Sequence, residues 1–368
     1  MRVVILSKAL LVGAYQRKAE ELAALPGVEL TVLVPPHWTD VGRVTRVERA
    51  FTRGYELRPI PLAFDGHFHY HFYPTLGREL ARLRPDVLHV DEEPYNLATF
   101  LAYVHGGRVG ARRLFFTWQN IHRRLPPPVC WMERWVLRHS DAAIAGITAA
   151  VDVLRRKGYT GPAPVIPQFG VDPELFRPAP TRPARPFTFG YYGRLVENKG
   201  LLDLLEACRG LEGDFRVELV GEGPLEPELR ARIAAYGLGG RVRLRPPVPS
   251  TAVPALLHEL DATVLPSRTT PTWKEQFGRT LPESMASGVV PIGSDCGEIP
   301  HVVGDAGLIF PEGDVEALRE RMARLMRDRD LRAELAARGR HRVLERYTQA
   351  QIARQTYDVY RRIGIIPG

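Results

Sequence analysis

Short unbroken apolar runs recur along the chain, and stretches of helical periodicity stand between them. Residues 3–6 (VVIL) are apolar throughout, the pattern of a strand buried on both faces of a parallel sheet. Residues 15–25 follow with amphipathic spacing and end at Pro26-Gly27. Residues 28–34 (VELTVLV) form a second strand, stopped by Pro35-Pro36. Further strands are expected at 86–90, 113–117 and 142–145. Strands separated by helical segments predict βαβ units in an open α/β sheet.

Five prolines (173, 178, 180, 183 and 186) then interrupt all periodicity, which predicts a stiff linker over 173–186. Beyond it the alternation resumes. Strands are expected at 187–192, 216–220, 242–244, 262–265 and 289–292, with a helix at 201–208. The tail from 315 to 363 is helical, with a break near Tyr347-Thr348. Two Rossmann-like domains are therefore expected, at 1–172 and 187–348. Such domains bind ligands at the carboxyl ends of their strands, here in a cleft between the two.

Composition narrows the function classes. The 368 residues suffice for two cores, and a hydrophobic fraction of 45% excludes a disordered chain. No apolar run reaches the roughly 18 to 20 residues of a membrane span. The first eight residues lack the features of a signal peptide, so a cytoplasmic protein is expected. Cys130, Cys208 and Cys296 are far apart, as suits reduced, buried thiols. The formal charge of +8 rests on 45 arginines and only five lysines. No basic block carries interleaved aromatics, so no nucleic-acid partner is expected.

The chemistry concentrates in two segments. In the run from Lys274 to Gly288, Glu275 and Glu283 stand eight apart, and Thr280, Leu281, Pro282 and Glu283 have the spacing of a capping box. Two readings stay open for this segment. Glu283 caps a helix, or the helix start faces an anion through the backbone N–H groups of Thr280 and Leu281. Residues 192–200 (YGRLVENKG) leave a strand and enter a helix, which sets Arg194 and Lys199 at a strand's carboxyl end. A bidentate fork and a point charge suit a diphosphate. Gly221-Glu222-Gly223 after the next strand indicates only a tight turn.

Together these segments resemble the signature of retaining glycosyltransferases of family 4, which have the GT-B fold. The resemblance rests on GRLVENKG at 193–200, the E-x7-E segment from Glu275 to Glu283, VGEGP at 220–224, GVDPELFRP at 170–178 and SGVVPIGSDCGEIPHVV at 287–303. It implies two Rossmann-like domains facing across a cleft, with a C-terminal helix (about 349–368) packing back on an acceptor-binding N-terminal domain. It implies a nucleotide-sugar donor, with a UDP- or GDP-sugar both open, held mainly by the C-terminal domain. Arg194 and Lys199 would hold the diphosphate, Glu283 the ribose hydroxyls, and Glu275 would lie near the sugar. Gly193, Phe277 and Gly278 would present backbone to the donor, and Gly13 would approach its phosphates. Two departures stand out. The loop after the first strand has Val12-Gly13-Ala14 where family members often have a glycine pair. The usual sugar-contacting histidine falls at Gln119 or Asn120, with His122 two or three residues late.

The resemblance implies loss of the nucleoside diphosphate as the hard step, with cations fixed in advance to stabilise charge on the β-phosphate. Those cations, and the expectation that the chain carries no D-x-D motif, lead to an expectation of no metal and no cofactor. A GT-B sugar-nucleotide epimerase and a non-catalytic nucleotide-sugar binder are the alternatives. The acceptor is a hydroxyl compound of unread class: glycan, lipid or small molecule. Residues 67–72 (HFHYHF) alternate histidine with aromatic side chains, which predicts a buried aromatic edge beside solvated imidazoles, or an acceptor site. Peripheral attachment to the cytoplasmic face of a membrane is left open by the positive charge.

Overall fold

The computed structural model describes residues 1–40, 43–180 and 185–364. Part of the linker (181–184, with Pro183) and the last four residues of the expected C-terminal helix lie outside the described residues. The chain divides into two compact units, one of Met1–Gly170 with the chain from Gln349 onward, the other of Val171–Thr348.

The first unit holds strands β1 (Arg2–Leu6), β2 (Glu29–Val34), β3 (His37–Asp40), β4 (Arg43–Arg46), β5 (Glu56–Pro59), β6 (Val87–Val90), β7 (Arg112–Thr117) and β8 (Ala142–Ala145). Six of them form a sheet in the order β5-β2-β1-β6-β7-β8, and every pair is parallel. Strands β6 and β8 are buried at every position, which is why their sequences are apolar but for His89. The chain builds outward from β1 to β5, then returns to place β6 on the other side of β1. The topological switch point therefore lies between β1 and β6, where such sheets open a crevice at their carboxyl ends.

Helix Gln349–Ile363 belongs to this unit and packs against helix Arg17–Ala23. Its buried side chains Ile352, Thr356, Val359, Tyr360 and Ile363 recur at helical spacing. The Tyr360 hydroxyl stands 2.7 Å from Nδ1 of the buried His89 on β6, a polar tie across the core.

The second unit holds β9 (Phe187–Tyr192), β10 (Phe215–Val220), β11 (Val242–Arg245), β12 (Ala262–Leu265), β13 (Val290–Ser294) and β14 (Leu308–Phe310). They form one parallel sheet in the order β11-β10-β9-β12-β13-β14. Its switch point lies between β9 and β12. The register between these two strands runs only through Ala262↔Phe189 and Thr263↔Gly190, so they part toward their carboxyl ends.

Several elements differ from the sequence expectation. Hairpin β3–β4 is polar and antiparallel, β5 is a half-exposed edge strand, and β14 has three residues, so none presents a long apolar run. The helical tail breaks at Tyr347-Thr348 and also at Asp328, whose side chain accepts from the Leu331 N–H at 2.9 Å. The expectation of no D-x-D motif is wrong, for Asp328-Arg329-Asp330 is one, and its first carboxylate is a helix cap. Among the described residues no helix is long and apolar enough to cross a membrane. Cys208 and Cys296 are buried and Cys130 is half-buried.

Candidate active site

In the second unit the segments leaving β9 and β12 line a cavity of about 760 Å³. Its walls include Arg194, Lys199, Arg268, Trp273, Glu275 and Gln276. Lys199 ends a single helical turn, Glu197–Lys199, and its ammonium lies 2.5 Å from Glu275 Oε2. The same oxygen accepts from the Ser267 hydroxyl at 2.8 Å, and the Ser294 hydroxyl donates to the Ser267 carbonyl at 2.6 Å. Lys199 Nζ also stands 4.8 Å from the centre of the Trp273 ring. Arg194 is exposed on the wall, and its carbonyl accepts from the Tyr191 hydroxyl at 2.7 Å, which fixes the backbone.

Two glycines hold these loops at close approach. A Cβ on Gly221 would fall 1.8 Å from the Gly193 carbonyl oxygen, so the loop after β10 can lie against the loop after β9 only without a side chain. Gly297 has φ +60°, and a Cβ there would fall 2.1 Å from the Glu275 carbonyl oxygen. The next N–H, of Glu298, donates to that carbonyl at 3.2 Å. Gly297→Ala should therefore destabilise the protein by about 1–3 kcal/mol and displace Glu275. Chemical denaturation with a parallel turnover assay would check this, and unchanged values for both would refute it.

The expected capping box does not form. Thr280 is the first helical residue of Thr280–Ala286, Arg279 stands at the cap position, and no side chain caps this end. Glu283 is buried and accepts from Arg279 Nε at 2.7 Å and from the Tyr192 hydroxyl at 3.2 Å. Burial raises its carboxyl above the usual range, against the opposing charge of Arg279. The anion contact expected of the Leu281 N–H is also replaced. That group donates to the Gly278 carbonyl at 2.7 Å, and Leu281 itself is buried. Thr280 is half-buried, with its carbonyl taken by the Tyr192 and Ser284 hydroxyls. Phe277 is half-buried with its ring against Tyr347, and Gly278 has φ +62°.

The remaining expected residues belong to the first unit. The Gly13 N–H, expected to face phosphates, donates to the Glu48 carboxylate at 2.6 Å. Gln119 accepts from Lys157 Nζ at 2.7 Å, and Lys157 is ion-paired with the buried Glu133. His122 is exposed three residues further on. In the histidine-aromatic stretch His67 and His69 are exposed as expected, but Phe68 and Tyr70 are exposed as well and His71 is fully buried. His71 Nε2 lies 2.9 Å from Glu92 Oε2, which Lys8 also reaches at 3.0 Å.

Sequence reasoning missed Trp273, Ser267 and Tyr192, which meet their partners only through the fold. It also missed Glu92 and Glu93, for which there was a signal. Three acids in a row, Asp91-Glu92-Glu93, follow directly on an expected central strand.

Two family models cover most of the chain, glycosyltransferase family 4 over residues 16–175 and glycosyl transferases group 1 over residues 172–342. The putative colanic acid biosynthesis glycosyltransferase WcaL of Salmonella typhimurium is 33% identical over 206 residues, 54% of this chain and 51% of WcaL. The chain thus spans about half the length of such curated relatives. The lipopolysaccharide core biosynthesis mannosyltransferase LpsB of Rhizobium meliloti is 30% identical over 62% of this chain and 67% of its own. Among solved structures, HepE of Anabaena in complex with UDP superposes with a TM-score of 0.72 at 17% identity, over 97% of this chain and 99% of HepE. At that identity the likeness shows the fold, two Rossmann-like domains of GT-B type.

Proposed function

Since the chain belongs to the family 4 glycosyltransferases, we propose that it moves a sugar from a UDP- or GDP-sugar to a hydroxyl of an acceptor, with retention at the anomeric carbon and without a metal. The observation that carries this reading is the Lys199–Glu275 pair in the cavity at the switch point of the second unit, with Arg194 on the same wall. The cavity has room for a nucleotide sugar, on the scale of ordinary ligand pockets. Of the three cations on its walls, Arg194, Lys199 and Arg268, the first two would face a leaving diphosphate as it gains charge. Glu275 is held by Lys199 and Ser267, so it is built to position sugar hydroxyls. Glu283, on the Tyr192 side, is assigned to the ribose, with Thr280, Gly193, Phe277 and Gly278 around the nucleotide. The UDP bound by HepE supports the ligand class.

In this reading the departing β-phosphate accepts the proton of the attacking hydroxyl on the same face of the sugar. The C–O bond to the diphosphate breaks as the bond to the acceptor oxygen forms. A thermal-shift panel of nucleotide sugars, followed by separation of the products, tests the assignment. Stabilisation by one UDP- or GDP-sugar, with release of its nucleoside diphosphate, is expected. Conversion of the donor to an epimer with no release would overturn it in favour of an epimerase. Activity should also survive EDTA largely intact. Complete loss of turnover, restored by Mg²⁺ or Mn²⁺, would contradict the metal-free proposal.

A further inference from the structure

The first unit has its own switch point, between β1 and β6, and the function proposed above leaves its side chains unused. Lys8 follows β1, Glu92 and Glu93 follow β6, and Thr117 and Trp118 end β7, so three adjacent strands deliver these groups to one edge. Glu93 is half-buried there. Its Oε2 accepts from the Thr117 hydroxyl at 2.6 Å and its Oε1 from the Trp118 N–H at 2.8 Å. A carboxylate oxygen has a further lone-pair direction beyond each of these bonds.

The charges facing Glu93 are already matched. Lys8 is paired with Glu92 at 3.0 Å, and Lys157 is paired with Glu133. Glu92 is fully buried and also receives His71, the Tyr73 hydroxyl at 3.2 Å and the Asn96 amide at 3.2 Å. Burial pushes the Glu92 carboxyl up, yet Lys8 and His71 outweigh it and hold it below the usual range. The two lysines at this edge are thus paired with carboxylates, and Arg123 acts on Tyr95.

Aromatic faces stand beside it. Phe68 is 47% exposed and Tyr70 50% exposed, on the turn that follows β5. Lys8 Nζ lies 4.6 Å from the Phe68 ring centre, and Trp38 meets the same ring edge-on at 5.3 Å. The turn is tied to the β6 loop by the Leu97 N–H donating to the His69 carbonyl at 2.9 Å and by the His69 ring 5.4 Å from Tyr95. The aromatic turn and the loop that carries Glu93 therefore border one edge.

We propose that this edge binds the acceptor and that the acceptor is a saccharide, with Glu93 accepting a hydrogen bond from a sugar hydroxyl and Phe68 and Tyr70 lying against the sugar's C–H face. A neutral polyol satisfies fixed hydrogen-bonding groups without bringing charge, and its ring has an apolar face for an aromatic side chain. A lipid tail would cover Glu93 without offering its remaining lone pairs a donor, and a phosphate would meet a carboxylate. The inference rests on the glycosyltransferase reading above and narrows its acceptor to a carbohydrate.

Burial raises the Glu93 carboxyl to about 7, opposed by the Thr117 and Trp118 hydrogen bonds and by the charges of Lys8 and Lys157. Tyr95, Glu92, Glu133 and Arg123 face the same cluster. Only the ionised carboxylate is a pure acceptor, so affinity for a sugar hydroxyl should rise with pH through that range.

The test is saturation-transfer NMR on the full chain with methyl α-glucoside, methyl α-mannoside, methyl β-galactoside and N-acetylglucosamine as probes, and with UDP and GDP measured in the same samples. Saturable binding of at least one sugar is expected. Glu93→Gln should weaken it about tenfold or more, the loss of one charge-assisted hydrogen bond, and should flatten its pH dependence. Tyr70→Ala, at an exposed position, should weaken it as well, and neither variant should alter nucleotide affinity. Inorganic phosphate should not compete. The proposal is overturned if no sugar binds, if phosphate displaces the bound sugar, or if both variants bind as the unaltered protein does. Nucleotide binding with no sugar binding would sink this inference alone, whereas loss of nucleotide binding would sink the proposed function.

Discussion

Arg194→Ala and Lys199→Ala should each lower kcat by about 10² to 10³, the usual effect of removing one preorganised donor from a developing oxyanion. Donor affinity should change less, because in the proposed reaction both cations face charge that grows in the transition state. The double variant should lose less than the product of the two, since the proposal has both act on one phosphate. The structure adds a distinction between them. Arg194 is exposed, so its removal leaves the fold intact. Lys199 is the cation on a buried carboxylate, so Lys199→Ala leaves Glu275 with Ser267 as its remaining partner at Oε2. Breaking such a pair from one side costs about 3–5 kcal/mol when it is fully buried, and less here because Lys199 is partly open. Lys199→Ala combined with Glu275→Gln should recover stability without recovering turnover. Steady-state kinetics and denaturation on the four proteins would check this, and single variants within about twofold of the unaltered enzyme would indicate a solvated basic loop.

Glu283→Ala should weaken UDP or GDP binding by about tenfold or more, as expected when a ligand's hydrogen bond to a charged group is lost. It should also lower stability, because Arg279 and the Tyr192 hydroxyl lose their shared partner. Glu283→Gln separates the two effects. It keeps an oxygen for the Tyr192 hydroxyl and removes the charge that faces Arg279. Calorimetry showing unchanged nucleotide affinity in both variants, with only a lower melting point, would remove Glu283 from the binding site.

The architecture was legible because a strand buried on both faces is apolar at most positions, with only an occasional polar group such as His89 or Thr263. That constraint marks β1, β2, β6, β8 and β12 in the sequence, while the polar hairpin β3–β4 and the three-residue β14 escape it. The cavity was legible where motif and strand end coincide, as at Arg194, Lys199 and Glu275. Partners brought in from elsewhere were not. Ser267 reaches Glu275 because β12 and the loop beyond it lie at the same sheet edge, and no local spacing records that. The capping reading of Glu283 failed because a T-x-x-E spacing cannot show that Tyr192 on β9 lies within 3.2 Å of the carboxylate. The stretch at 67–72 misled through its period of two. The chain there follows a turn, with Gly66 at φ +79°, so alternation in sequence did not become alternation of faces.

The most direct test of the central claim is release of nucleoside diphosphate from a panel of UDP- and GDP-sugars, followed by NMR with the unaltered chain and with Lys199→Ala. The account predicts that at least one donor is consumed, that the sugar first appears with the anomeric configuration it had in the donor, and that Lys199→Ala slows release by about 10² or more. Release of the inverted anomer, or equal release by both proteins, would contradict it.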